Sequence, residues 1–177
     1  YRKDWFNAAG VDMSTVKNGW TWDDMRSIAT QLKEAIVKAG GSEYPIVMEL
    51  DSQPSWMNFL YQNGGYFLSD DGKTTGIAEP ASKDAIQQVV DLMDKGQMAP
   101  YSVLSETKGT DLFISGQAAI VFIGSWKSSV LEESTLAANG NVQLIQMPKM
   151  AVNNSCNMGG LGYVMSSQCK NKDAAWE

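Results

Sequence analysis

Apolar residues recur at helical spacing through Trp22, Met25, Ile28, Ala29, Leu32, Ala35, Ile36 and Ala39. One face of a helix carries that period. Thr21 stands before it as a cap, and Asp23 and Asp24 in the first turn favour the positive end of the helix dipole. Gly40-Gly41 ends it. A second helical pattern over residues 80–95 places Ala81, Ala85, Ile86, Val89, Val90 and Met93 inward, with Gly96 behind. Shorter helices are predicted over 3–9, closed by Gly10, over 110–115 and over 127–133. A further helix begins after Pro54, which suits a first-turn position. It carries Trp56, Phe59 and Leu60 on one face and stops at Asn63-Gly64-Gly65.

Between these, short apolar runs read as strands. They fall at 44–49, at 118–123, at 142–147 before Pro148, and at 161–166 after Gly159-Gly160. Residues 66–68 are extended, 69–73 are a turn by composition, and 98–105 and 151–157 are loops. Alternation of helices and short strands favours an α/β layered lobe. The run Ala118-Ala119-Ile120-Val121-Phe122-Ile123 breaks at Gly124, and Ser125-Trp126 follow at once. In open α/β sheets, ligands bind where strands end, so Trp126 stands at a candidate cleft rim.

Charge and composition narrow the options. The chain has 177 residues, enough for one core, with 44% apolar residues and a net charge of −6. An acidic chain with scattered basic residues does not suit nucleic acid or an anionic membrane. No apolar run reaches the roughly 18 residues of a membrane span. There is no histidine, which removes the commonest metal ligand and general base; no cofactor or metal is expected. Cys156 and Cys169 are either a bridge or two free thiols, and spacing does not decide between them. The chain opens inside an amphipathic segment and closes on the start of a helix. We therefore expect a piece of a longer polypeptide, with any targeting signal outside it.

In order along the chain stand Tyr1-Arg2-Lys3-Asp4-Trp5-Phe6-Asn7-Ala8-Ala9-Gly10, Trp20-Thr21-Trp22-Asp23-Asp24, and Tyr61-Gln62-Asn63-Gly64-Gly65. Asp111-Leu112-Phe113-Ile114-Ser115-Gly116-Gln117-Ala118-Ala119 and Ile123-Gly124-Ser125-Trp126 follow. Gly159-Gly160-Leu161-Gly162-Tyr163 and Lys172-Asp173-Ala174-Ala175-Trp176-Glu177 close the series. No one of these is specific, but together they span nearly the whole chain. In this order the chain resembles the bacterial extracellular solute-binding proteins of ABC transporters, in the carbohydrate-binding group that includes maltose-binding protein. The resemblance implies a two-lobed, type II periplasmic-binding-protein-like fold, with helices around a short mixed sheet. Residues 1–158 would be the second lobe, and 159–177 the hinge crossing and the start of the return to the other lobe. It implies a protein that captures a carbohydrate in an interlobe cleft and hands it to permease subunits. Such a protein is monomeric, is not an enzyme, and works outside the cytoplasm, free in the periplasm or lipid-anchored at the cell surface.

Sugars present flat apolar faces edged by hydroxyls, so a site wants aromatic platforms and planar polar groups. The resemblance places Trp126 as such a platform and puts ligand contacts on the segment holding Asp51, Gln53, Ser55 and Trp56. The spacing of Trp56 with Phe59 and Leu60 suits a core role equally. Ser125 is a hydrogen-bond donor at the strand end, and Tyr101 lies in a polar loop within reach of a cleft. Gly160, Leu161 and Tyr163 match the strand near the hinge; many relatives carry Trp where this chain has Leu161. Trp5, Trp20 and Trp22 read as packing residues.

Two rival functions are consistent with the residues. A glycoside hydrolase would use paired carboxylates, Asp51 with Glu49 or Asp111, at about 5–5.5 Å for retention or 6.5–9.5 Å for inversion. A binding protein for a cationic or peptide ligand would want an acidic aromatic cage, and Asp51, Trp56 and Trp126 are the residues to build it.

Overall fold

The Thr21 hydroxyl accepts the Asp24 backbone N–H, and the Asp24 carboxylate accepts the Thr21 N–H at 2.8 Å in return. This reciprocal cap satisfies two backbone donors that a helix start leaves open. In the computed structural model, which describes residues 1–41, 44–159 and 162–176, it opens the longest helix. Two short helices precede it, α1 (Lys3–Ala8) and α2 (Met13–Lys17); the capped helix is α3 (Trp22–Lys38). The apolar face of α3 is buried at Trp22, Met25, Ile28, Ala29, Leu32 and Ile36, as its spacing predicts.

Strand β1 (Ile46–Met48) follows, then α4 (Gln53–Gln62) and α5 (Pro80–Asp94). Pro54 sits in the first turn of α4, where its missing N–H costs nothing. The inward face of α5 differs from the expected one. Ser82, Ala85, Val89 and Leu92 are buried, while Val90 is exposed. A polar Ser82 takes the inward position because its hydroxyl meets the backbone of Tyr66. Residues 101–104, expected as loop, form a single helical turn, α6 (Tyr101–Leu104). Then come α7 (Gly109–Ile114), β2 (Ile120–Phe122), a 3₁₀ turn at Ser125–Lys127, α8 (Ser128–Glu132), α9 (Thr135–Ala138) and α10 (Lys172–Trp176).

The strands β1 and β2 pair in parallel, with Ile46 opposite Ile120 and Met48 opposite Phe122. An isolated parallel bridge joins Ile46 of β1 to Met98, and two more lie outside the sheet, Thr21 with Lys149 in parallel and Arg2 with Val142 antiparallel. Parallel pairing brings the C-terminal ends of β1 and β2 to one edge. Three aromatic rings lock that edge to the helices. Trp22 meets Phe59 edge-on at 5.0 Å, Phe59 meets Phe122 at 5.5 Å, and Trp22 stacks near Phe122 at 6.5 Å. Each well-placed pair adds about 0.5–1.5 kcal/mol beyond burial. The triad joins α3, α4 and β2, so the start of α4 stands beside the end of β2.

Two expected strands do not form. Over 142–147 the chain makes only the Val142 bridge, and Gln143 exchanges backbone hydrogen bonds with Tyr1, so the segment borders β2 without joining it. Leu144 points into solvent at 93% exposure. Over 161–166, Leu161 lies outside the described residues, and 162–166 carry no strand, with Tyr163 and Val164 fully exposed. An extended segment without a neighbour has no ladder to join. Cys156 and Cys169 are free thiols.

Candidate functional site

A groove of about 250 Å³ opens where β2 ends. One wall is Phe122, Ile123, Gly124, Ser125 and Trp126; the other is Pro54, Ser55 and Asn58 from the first turns of α4. Met147, Cys156 and Asn157 close it from the later chain. Strand β2 stops at Phe122, and the 3₁₀ turn carries Trp126 outward, leaving it 52% exposed. The Ser125 carbonyl accepts the Ser128 hydroxyl at 2.7 Å, which fastens the turn.

The later chain reaches the groove because α4 holds it. The Gln62 side-chain amide donates to the Ser155 carbonyl at 2.7 Å, and the Gln62 carbonyl accepts the N–H groups of Val152 and Asn153. Asn58 donates to the Pro54 carbonyl at 2.8 Å and accepts the Asn157 N–H. Two amides thus line a groove floored by Phe122 and rimmed by an indole. The Ser55 hydroxyl is buried without a hydrogen-bond partner among the described residues, and desolvation raises the Cys156 thiol above its ordinary pKa. The arrangement suits a neutral ligand with a flat apolar face and hydroxyl edges.

Of the residues singled out by sequence, Trp126 and Ser125 line this groove together, and Ser55 stands opposite them. Trp56 is turned away: its half-buried ring meets Phe67 edge-on at 6.2 Å and packs against the main core. Asp51 is exposed and belongs to a neighbouring recess with Glu49, Ser52, Lys108 and Lys127. Gln53 is exposed at the first turn of α4, and Tyr101 is 67% exposed on α6; neither lines the groove. Gly160 and Leu161 lie outside the described residues. The acidic aromatic cage of Asp51, Trp56 and Trp126 is therefore not assembled around this groove. Glu49, the suggested carboxylate partner of Asp51, is engaged by Thr110 at 2.7 Å and by Lys127 at 3.7 Å.

Sequence reasoning missed Asn58 and Asn157. A helix turn after Pro54 was the available signal for Asn58, one turn on from Pro54 and on the same face. Asn157 had none, because its position depends on the clamp at Gln62. Among the described residues no cluster suited to a metal ion occurs, and no helix is long and apolar enough to cross a membrane.

The model of one family, described as bacterial extracellular solute-binding protein, matches residues 1–177. No curated protein matches. Among solved structures, the chain is similar to an ABC substrate-binding protein from Listeria monocytogenes in complex with cycloalternan, at 25% identity and a TM-score of 0.66, covering 88% of this chain and 36% of that one. It is similar to the GacH receptor of Streptomyces glaucescens, solved unliganded and with acarbose, at 21% identity and a TM-score of 0.78, covering 99% and 43%. A solute-binding protein from Thermotoga lettingae bound with α-D-tagatose shares 22% identity at a TM-score of 0.76, covering 99% and 44%. The chain thus spans between 36% and 44% of the length of these three.

Proposed function

Since the chain belongs to the bacterial extracellular solute-binding protein family, whose members are transport binding proteins and not enzymes, we infer that it is part of the sugar-capturing component of an ABC importer. The observation that carries this reading is the half-exposed indole of Trp126 at the rim of a groove lined by Ser125, Asn58 and Asn157. The ligands of the three similar structures, cycloalternan, acarbose and α-D-tagatose, support a carbohydrate.

In this reading Trp126 stacks on a sugar face, and Ser125 with the two amides meets hydroxyls. Asp51 and Gln53 stand on the same strand-end edge and contact a ligand that extends beyond the groove. Residues 1–158 form one lobe, and 159–177, with Gly160 and Leu161, begin the hinge crossing. Ligand touching both lobes stabilises a closed form, which permease subunits recognise at the outer face of the membrane. The protein acts as a monomer, anchored or free, and carries no catalytic residue.

The test is a thermal-shift screen of the full-length protein against mono- and oligosaccharides, followed by calorimetry on the hit. Ligand bound only to the native state raises the midpoint. Trp126→Ala is expected to weaken that sugar by more than about 1 kcal/mol, the scale of a lost aromatic contact. Unchanged affinity removes Trp126 from the site.

A further inference from the structure

We propose that Glu49 is a positioning residue for the Trp126 platform and acts through Lys127. The proposal rests on the reading of Trp126 as a ligand platform. The 3₁₀ turn Ser125–Lys127 is short, and two of its three residues, Ser125 and Trp126, are exposed. Beyond the Ser128 hydroxyl on the Ser125 carbonyl and the Trp126 ring over Gly124, such a turn has few contacts to fix a direction. Lys127 supplies an anchor. Its ammonium lies 3.7 Å from Glu49 Oε1, with only 25% of its side chain exposed.

Glu49 can serve as the fixed end because a second partner holds the same carboxylate oxygen, Oε1. Its side chain is 10% exposed, and the fully buried Thr110 hydroxyl donates to it at 2.7 Å. Thr110 reaches it because α7 begins with Gly109. A β-carbon there would sit 2.8 Å from the Met48 carbonyl oxygen, so only glycine lets the start of α7 press on the end of β1. The sequence of contacts runs from α7 through Thr110 to Glu49, on to Lys127, and by one peptide bond to Trp126. Removing one partner of a shielded pair leaves the other charge uncompensated, so the turn would shift to resolvate it. The surrounding recess also holds Asp51 and Lys108. Two carboxylates and two ammoniums thus line the recess, and their formal charges sum to zero.

The test labels the full-length protein with fluorotryptophan and reads fluorine NMR, with the Trp126 signal assigned through Trp126→Phe. Glu49→Gln and Lys127→Met are each expected to move or broaden the Trp126 signal while leaving those of Trp20 and Trp22 in place. Lys127→Arg is expected to restore it. A Trp126 signal unmoved in both variants overturns the proposal, and so does a common shift of all tryptophans, which reports a general loss of structure. Maltose is titrated in parallel. Where wild type binds it, Glu49→Gln is expected to bind roughly tenfold more weakly, the scale of coupling between contacting residues; equal affinity overturns a functional role. Where wild type binds no sugar in the screen, the ligand reading fails while the NMR result still decides the contact.

Discussion

The six-membered ring of Trp126 lies so close over Gly124 that a β-carbon on Gly124 would fall 2.0 Å from Cζ3 and 2.1 Å from Cη2. Gly124 has φ −89° and ψ 161°, extended values that any residue adopts. Glycine is needed here for the contact and not for the backbone. The obstructing atoms belong to the far end of a half-exposed ring, which can swing into solvent. Gly124→Ala is therefore expected to leave the thermal midpoint nearly unchanged while displacing the indole. Sugar affinity should fall by about as much as in Trp126→Ala, roughly 1 kcal/mol or more. Calorimetry beside a melting curve reads both; full affinity with the alanine in place removes the contact from the site's design.

Trp56 should behave in the opposite way. Its ring packs edge-on against Phe67 and on the core, beyond the groove. Trp56→Ala is expected to cost about 2–3 kcal/mol of stability, at or below the lower end for large aromatic deletions because the ring is half-buried. Urea unfolding measures that loss. Trp56→Phe, which keeps an aromatic partner for Phe67, is expected to retain most of the stability and the same sugar affinity.

The α3 cap carries a pH dependence with a definite sign. Hydrogen bonds from the Thr21 hydroxyl and backbone hold the Asp24 carboxyl below its ordinary pKa. A group more acidic in the folded chain contributes stability above its unfolded range, and that stability is lost as pH falls through the lowered folded value. Asp24→Asn is expected to narrow the difference in unfolding free energy between about pH 7 and about pH 3, measured by urea titration. Thr21→Ala should cost about 1 kcal/mol at neutral pH. An unchanged acid limb in Asp24→Asn would show that the cap titrates elsewhere.

If ligand is gripped between two lobes, these 177 residues hold only part of the grip. Expressed alone, and folded by circular dichroism, they are expected to give no measurable heat with a sugar that the full-length protein binds. Tight binding by this chain alone would falsify the two-lobe reading.

How much of this was legible differs from residue to residue. The α3 cap was, because Thr21 and Asp24 are three residues apart and need nothing distant. The place of Ser125 and Trp126 just past the end of β2 was, because a β-prone run broken by glycine announces its own end. Trp56 was undecided, since its period fits a core and a cleft alike, and only the placement of Phe67 separates them. Val142 to Met147 was misleading. Its residues are mostly apolar and stop at Pro148 as a strand's do, but a strand is defined by its neighbour, and Gln143 finds only Tyr1. Asn157 was invisible, because a clamp from Gln62 on α4 sets its place.

The parallel pairing of β1 with β2 has a further consequence, for folding kinetics. Ile46 and Ile120 meet across a crossover that contains α4, α5, α6 and α7. Closing so long a loop carries an entropic cost before any strand contact rewards it. The local helices can form and dissolve quickly, yet the wall holding Trp126 and the wall holding Asn58 meet only after this closure. The groove is thus among the last features of the chain to exist, and a refolding experiment should recover helix before it recovers any ligand.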